Sequence, residues 1–179
     1  MTRDVVIGLD LATRSGWAVV DLGGSRLASG VWTLAPRKGR PKADRWVRFS
    51  RALSELLRVY EGRIAVVALE RPFEGAARHG AKHAAATPTV AWGLVALAEH
   101  AAEAHGIASV RYPPARVKAA AAKRGNATKR GVAAAMAERF GVELEAGDEA
   151  DALAVAVTAL AWLDHEALAC GEVVERRAA

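Results

Sequence analysis

Two periods of hydrophobic alternation run through this chain, and the points where one gives way to the other mark its elements. From Asp4 to Leu11 the run Asp-Val-Val-Ile-Gly-Leu-Asp-Leu is almost continuously apolar, which predicts a central strand buried on both faces and closing near an acid. Gly16–Asp21 reads as a second strand, and the turn Gly23-Gly24-Ser25 leads into a third over Arg26–Leu34, so the three predict an antiparallel meander. Pro36–Lys42 is a basic loop without periodicity. Trp46, Phe49, Leu53, Leu56, Leu57 and Tyr60 then share one helical face, with Arg45, Arg48, Arg51, Glu55 and Arg58 off it, and Gly62 ends that helix. Arg63–Glu70 is a second fully apolar strand that ends at an acid. Strand, crossover helix and strand in this order imply parallel pairing, so the fourth strand is expected beside the first.

A polar loop with Gly and His covers Arg71–His83, and a helix of small apolar residues follows over Thr87–His105. Ile107–Tyr112 is a short fifth strand, and Pro113-Pro114 opens a helix that stops near Gly125. Thr128 caps another helix running to Phe140. The last helix runs from Asp148 to His165 with Leu153, Val157 and Leu160 inward. This order describes an α/β chain, a five-stranded mixed sheet flanked by helices in the ribonuclease-H-like arrangement. The expected organisation is a single domain over 1–170 with a frayed tail over 171–179.

Composition narrows the class. The 179 residues suffice for one ordinary core without a metal or disulfide staple, although 42 of them are alanines, which bury little area but let elements approach closely. The longest uncharged stretch, Ala84–Ala98, is broken by Thr87, Pro88 and Thr89 and falls short of the ~20 apolar residues of a membrane span. Met1-Thr2-Arg3-Asp4 lacks the pattern of a signal peptide, and the lone Cys170 excludes a disulfide framework or a multi-cysteine zinc site. A cytoplasmic protein with no membrane partner and no organic cofactor is expected.

Charge changes the picture further. Residues 37–58 carry eight Lys/Arg against two acids and residues 71–130 ten against three, whereas 131–179 carry ten acids against three bases. Two basic zones point to a polyanion such as nucleic acid, with solvated helix faces as the bland alternative.

The candidate chemistry lies in four acids. Asp10 and Glu70 stand at the carboxyl ends of two strands expected to be parallel neighbours, where α/β sheets bind ligands. Asp148 and Asp151 are spaced i, i+3 on one helix face, in a first turn that suits acids. Singly, Asp148 reads as an N-cap and Asp10 as a turn former, but a strand as apolar as Ile-Ala-Val-Val-Ala-Leu gains nothing by ending in Glu70. Converging carboxylates would repel one another and retain protons unless a cation joined them. Oxygen-only donors select a hard ion, Mg²⁺ or Mn²⁺. Two such ions about 4 Å apart could drive an in-line displacement at a phosphodiester.

These residues carry a resemblance. Gly8-Leu9-Asp10, Ala68-Leu69-Glu70 and Asp148-Glu149-Ala150-Asp151-Ala152-Leu153-Ala154 resemble the three acidic motifs of the RuvC family of Holliday junction resolvases. Phe73, three residues after Glu70, stands where that family has an aromatic that stacks on bases at the junction centre. Lys118, after Val117, and Lys129, eleven residues on, match the family's two functional lysines. The resemblance spans Gly8 to about Trp162, in order. Bacterial members usually have Pro-Gly after the first acid, where Leu11-Ala12-Thr13 follows here, and the loop Arg71–Ala86 is this chain's own. Those departures suggest a divergent member of phage or mobile-element type.

The resemblance implies a metal-dependent endodeoxyribonuclease that resolves four-way DNA junctions by paired symmetric nicks. Asp10, Glu70, Asp148 and Asp151 would hold two Mg²⁺ ions, with Mn²⁺ able to substitute, and water attack would leave a 5′-phosphate and a 3′-hydroxyl. Lys118 and Lys129 would bind phosphate beside the cut and Phe73 would stack. Arg71, Arg78, Lys82, Arg116, Lys123, Arg124 and Arg130 would be backbone contacts, salt-sensitive and blind to sequence. His79 and His83 read as solvent-exposed. The junction's near-twofold symmetry calls for a homodimer. The helix Thr87–His105, through Val90, Leu94 and Leu97, either covers the sheet or meets a twin, and the family's dimeric habit favours the twin.

Three other readings remain at this point. A YqgF-like nuclease acting on structured RNA would share the metal site. The Gly-x-Asp-x-x-Thr of Gly8–Thr13 also opens the phosphate loop of actin and sugar-kinase ATPases, whose two-domain cleft this length cannot supply. A catalytically silent junction binder would not need all four acids.

Overall fold

A computed structural model of the chain describes residues 2–72 and 87–169. The three first strands are β1 (Val5–Asp10), β2 (Arg14–Asp21) and β3 (Arg26–Thr33), followed by α1 (Asp44–Val59) and β4 (Ile64–Glu70). Then come α2 (Thr87–Ala104), β5 (Ala108–Tyr112), α3 (Pro114–Ala122), α4 (Lys129–Phe140) and α5 (Asp148–Ala169). The strands form one sheet in the order β3-β2-β1-β4-β5, antiparallel over the meander and parallel from β1 to β4 to β5. The expected five-stranded mixed sheet is what forms.

The continuous apolar run of β1 divides by parity. Val5, Ile7 and Leu9 face one side, where Phe49, Leu53 and Leu57 of α1 and Leu94 and Val95 of α2 close the core. Val6 faces the other side with Ala18, Val20, Val66 and Ala68, under α5 and, beyond it, Val117 of α3 and Met136 of α4. A strand covered on both faces has no polar side to present, which is why the alternation vanishes from the sequence.

α5 lies against the sheet backbone because small residues leave it room. A Cβ on Gly8 would overlap the Ala152 carbonyl, and one on Gly16 would overlap the carbonyl of Asp148. Ala150, Ala152, Ala154, Ala156 and Ala159 are all fully buried in this layer. Burial therefore runs almost all round α5, beyond the single inward face of Leu153, Val157 and Leu160 expected from periodicity.

Three further expectations change. Arg45, placed off the apolar face of α1, is buried with its guanidinium over the Trp46 ring and its Nε donating to the Lys42 carbonyl. α5 continues to Ala169, past His165. α2 covers the sheet: Leu94 is fully buried beneath it, and Val90 and Leu97 pack on the same core, so Leu94 cannot also face a twin. Thr128 does cap α4, its Oγ1 accepting from the Gly131 amide at 3.1 Å. The tail over 171–179 and Cys170 lie outside the described residues.

Candidate active site

The register of the sheet sets two of the acids side by side. Leu9 pairs with Leu69, so Asp10 and Glu70 follow one another off neighbouring parallel strands. They also share a face, because a shift between Val5 and Val6 inserts an extra residue, Ala65, into β4. That bulge brings Val66 and Ala68 into phase with Val6 and Gly8, and Glu70 into phase with Asp10, on the side covered by α5.

α5 delivers the other two. With Gly16 beneath the Asp148 carbonyl, the first turn of the helix sits over the same end of the sheet. Asp148 does not act as an N-cap; it is the first helical residue, and the Gly147 carbonyl accepts from the Asp151 amide. Its carboxylate instead accepts from Arg14 Nε at 3.1 Å. Asp151 pairs with Lys129 Nζ at 3.1 Å. Lys129 opens α4, where the helix dipole disfavours a cation, so the acid opposite it is what makes the placement tolerable.

The electrostatics register the convergence. Burial pushes the Asp10 carboxyl up to about 8, helped by Glu70, Asp151 and Asp148 and opposed by Lys129. Glu70 is raised to about 7, first by burial and then by Asp151, against the pull of Lys118 and Lys129. Burial alone would lower the Lys129 ammonium, but Asp151, Asp10 and Asp148 outweigh it and hold the group above its ordinary value. At neutral pH Asp10 therefore retains a proton, which is the state expected of crowded carboxylates without a cation.

Among the described residues no three of these side chains close on one point as a finished metal cage. Arg14 and Lys129 neutralise Asp148 and Asp151 in this arrangement. The donor set still fits a hard divalent ion: carboxylate oxygens only, with Asp10 and Glu70 driven towards protonation by burial and by their neighbours' charge. A cation entering here would replace protons and ammonium groups, so no new donor is required.

The other site candidates lie around this centre. Lys118, on α3 beside the buried Val117, is partly buried and acts on Glu70 through its charge. Arg71 is exposed where β4 ends, its amide donating to the Tyr112 carbonyl at 2.8 Å. Arg116 is exposed with its guanidinium 5.4 Å from the Tyr112 ring centroid. Lys123, Arg124 and Arg130 are exposed about the turn between α3 and α4. Phe73, Arg78 and Lys82, with His79 and His83, lie outside the described residues.

Sequence reasoning passed over Arg14 and Gly16. Arg14 had a visible signal, a cation four residues after the first acid. Gly16 had none, since only packing shows what passes above it. The turn between Asp10 and Arg14, Leu11-Ala12-Thr13, is closed by the buried Ser15, whose hydroxyl donates to the Ala12 carbonyl at 2.7 Å and accepts from the Ala12 amide at 3.2 Å.

The model of the family described as crossover junction endodeoxyribonuclease RuvC matches residues 6–159. The chain belongs to the RuvC family. It is 35% identical over 161 residues to a RuvC crossover junction endodeoxyribonuclease of Anaeromyxobacter, covering 88% of this chain and 73% of that protein. The solved structure of Thermus thermophilus RuvC superposes with a TM-score of 0.72 at 26% identity, covering 90% of this chain and 96% of the other. The same RuvC in complex with Holliday junction substrate gives a TM-score of 0.66 at 30% identity, over 87% and 92% of the two chains. RuvC nucleases are metal-dependent, in keeping with this donor set. No helix of the described residues is long and apolar enough to cross a membrane.

Proposed function

We propose that this chain is a structure-selective endodeoxyribonuclease that resolves four-way DNA junctions by paired symmetric nicks. The observation that carries the reading is the convergence of Asp10, Glu70, Asp148 and Asp151 over one sheet edge, faced by Lys118 and Lys129, in a RuvC-family chain. The four carboxylates hold two Mg²⁺ ions, for which Mn²⁺ substitutes, and the chemistry these supply is activation of water and stabilisation of the leaving oxygen. Lys118 and Lys129 position the phosphate beside the carboxylates.

Arg71, Arg116, Lys123, Arg124 and Arg130, with Arg78 and Lys82, hold the backbones of the junction arms without reading sequence. Phe73 stacks on a base at the crossover, a contact that contributes about 1–3 kcal/mol when a ring is exposed to bases. A homodimer supplies the second, symmetry-related cut, and the protein works in the cytoplasm.

The test is cleavage of a labelled synthetic four-way junction beside linear duplex, single strand and an RNA hairpin, with Mg²⁺ or with EDTA. Paired symmetric nicks in the junction alone, abolished by EDTA and by Asp10→Asn, are the expected result. Cutting of the RNA hairpin with the junction intact would transfer the chain to RNA processing. Binding of the junction without any cut would overturn the catalytic assignment.

A further inference from the structure

The basic run of residues 37–58 is not absorbed by the site, and the fold breaks it into parts with different fates. Arg45 is buried. Arg48 is committed to local structure: its NH1 donates to the Thr33 carbonyl at 2.7 Å, its NH2 to the Ala35 carbonyl at 2.6 Å, and its Nε to Asp44 at 2.9 Å. Arg51 is exposed along α1, and Arg58 is exposed near the end of that helix, which returns to the start of β4, so Arg58 lies at the end of the sheet away from the acids. What remains in one place is the loop between β3 and α1, with Arg37, Lys38, Arg40 and Lys42 all exposed.

That loop is folded and rooted. The Arg40 amide donates to the Arg37 carbonyl at 3.1 Å, closing a turn through Gly39, whose φ of +75° is the left-handed region that glycine adopts without strain. Arg48 and the bond from the Leu34 amide to the Thr13 carbonyl at 2.8 Å hold its start. Among the described residues none of the four cations has an acidic partner. Four like charges crowded on one rooted loop repel one another, and an anionic partner relieves that cost.

Its position says which anion. Thr33 pairs with Arg14, so the loop leaves the sheet at the same edge as Asp10. Two strand spacings separate β3 from β1, roughly 10 Å, which is less than the ~12 Å width of a duplex major groove. Arg116, Lys118 and Lys129 come from α3 and α4, which pack against α5 on the face of the sheet where the acids lie. We infer that the loop Pro36–Lys42 is a second phosphate-contacting surface for the same DNA substrate, holding a junction arm on the β3 flank while α3 and α4 contact it over the acids. The inference rests on the resolvase reading and extends it to where an arm lies.

The decisive experiment is anisotropy of a labelled four-way junction in EDTA across a salt series. It compares the full chain with Lys38→Ala/Arg40→Ala and with the charge-matched control Arg3→Ala/Arg58→Ala at the opposite sheet edge. Loss of two phosphate contacts should reduce the slope of log affinity against log salt by about 1.8 and weaken low-salt binding about tenfold or more, with the control unchanged. Equal losses in both variants, or none in either, would overturn the inference. Cleavage by the wild type in Mg²⁺, measured in parallel, separates the two proposals. Normal cleavage with an unaltered loop-variant slope sinks the loop alone, whereas a wild type that neither binds nor cuts the junction removes both.

Discussion

The two faces of this sheet are covered by helices, yet they are built from different material. On the α1–α2 side the core is Phe49, Leu53, Leu57, Leu94 and the alternate residues Val5, Ile7 and Leu9, with Trp17 stacked on Trp32 at 5.8 Å. On the α5 side Val6, Val20, Leu153 and Met136 supply larger side chains, but the seam where helix meets strands is glycine and alanine: Gly8 and Gly16 below, Ala152 and Ala156 above. The first face gains stability from the apolar area of large side chains. The second gains proximity, bringing the backbone of α5 down until Asp148 and Asp151 stand over the ends of β1 and β4. One face holds the fold, and the other sets the distances on which the site depends. All four acids belong to the second face.

That division can be broken from either side. The largest effect is expected at Gly16→Val, because the added carbons collide with backbone at Asp148 and α5 must lift. Overpacking typically costs about 1–3 kcal/mol or more, and a displacement of ~1 Å at reacting groups lowers rates about a hundredfold. Junction cleavage per folded molecule should therefore fall by that factor or more, with folding followed by circular dichroism. Phe49→Ala should cost about 3–5 kcal/mol in chemical denaturation, the usual range for a fully buried ring. Cleavage per folded molecule should stay within a few-fold of wild type. Comparable losses of rate in both variants would mean that the faces do not separate stability from geometry.

A smaller effect belongs to the acid face alone. Asp10 is raised to about 8 and Glu70 to about 7, so the folded chain holds protons that the unfolded chain releases near pH 4. Metal-free stability should then be greatest at mildly acid pH and decline as pH rises from about 5 to 8, by on the order of 1 kcal/mol per pH unit. Asp10→Asn should flatten that decline, and added Mg²⁺ should reverse it, both read from melting temperature against pH. The smallest effect is expected at Arg14→Ala. Its pair with Asp148 is mostly exposed on the arginine side, so stability should change by less than about 1 kcal/mol. Metal affinity by calorimetry should tighten a few-fold, since a competing cation has gone.

Much of this was legible in residue order. The apolar runs and the crossover between them predicted the sheet, its mixed direction and the neighbouring of β1 and β4. The four acids stood out because each broke a local rule: charges closing apolar strands, and two acids one helical turn apart. What failed was inference about faces that only a third element defines. α2 was open to two partners until the sheet took Leu94, and Arg45 lay off a stripe that in the fold wraps further than periodicity shows.

The sequence by itself determined which elements form and which residues are candidates for the chemistry, because propensity, alternation and capping act over a few neighbouring residues. Tertiary structure alone decided that those candidates lie near one another. Had the register run unbroken, with Ala65 paired to Val6 instead of bulged out, the parity of β4 would send Glu70 to the α1 face, away from Asp10. Without Gly8 and Gly16 beneath it, α5 could not bring its acids to the sheet. The partnership of Arg14 with Asp148, and the exit of the basic loop at the same end of the sheet as Asp10, follow from strand pairings between residues far apart in the chain. Register and close approach are properties of two surfaces at once, and no single segment carries either.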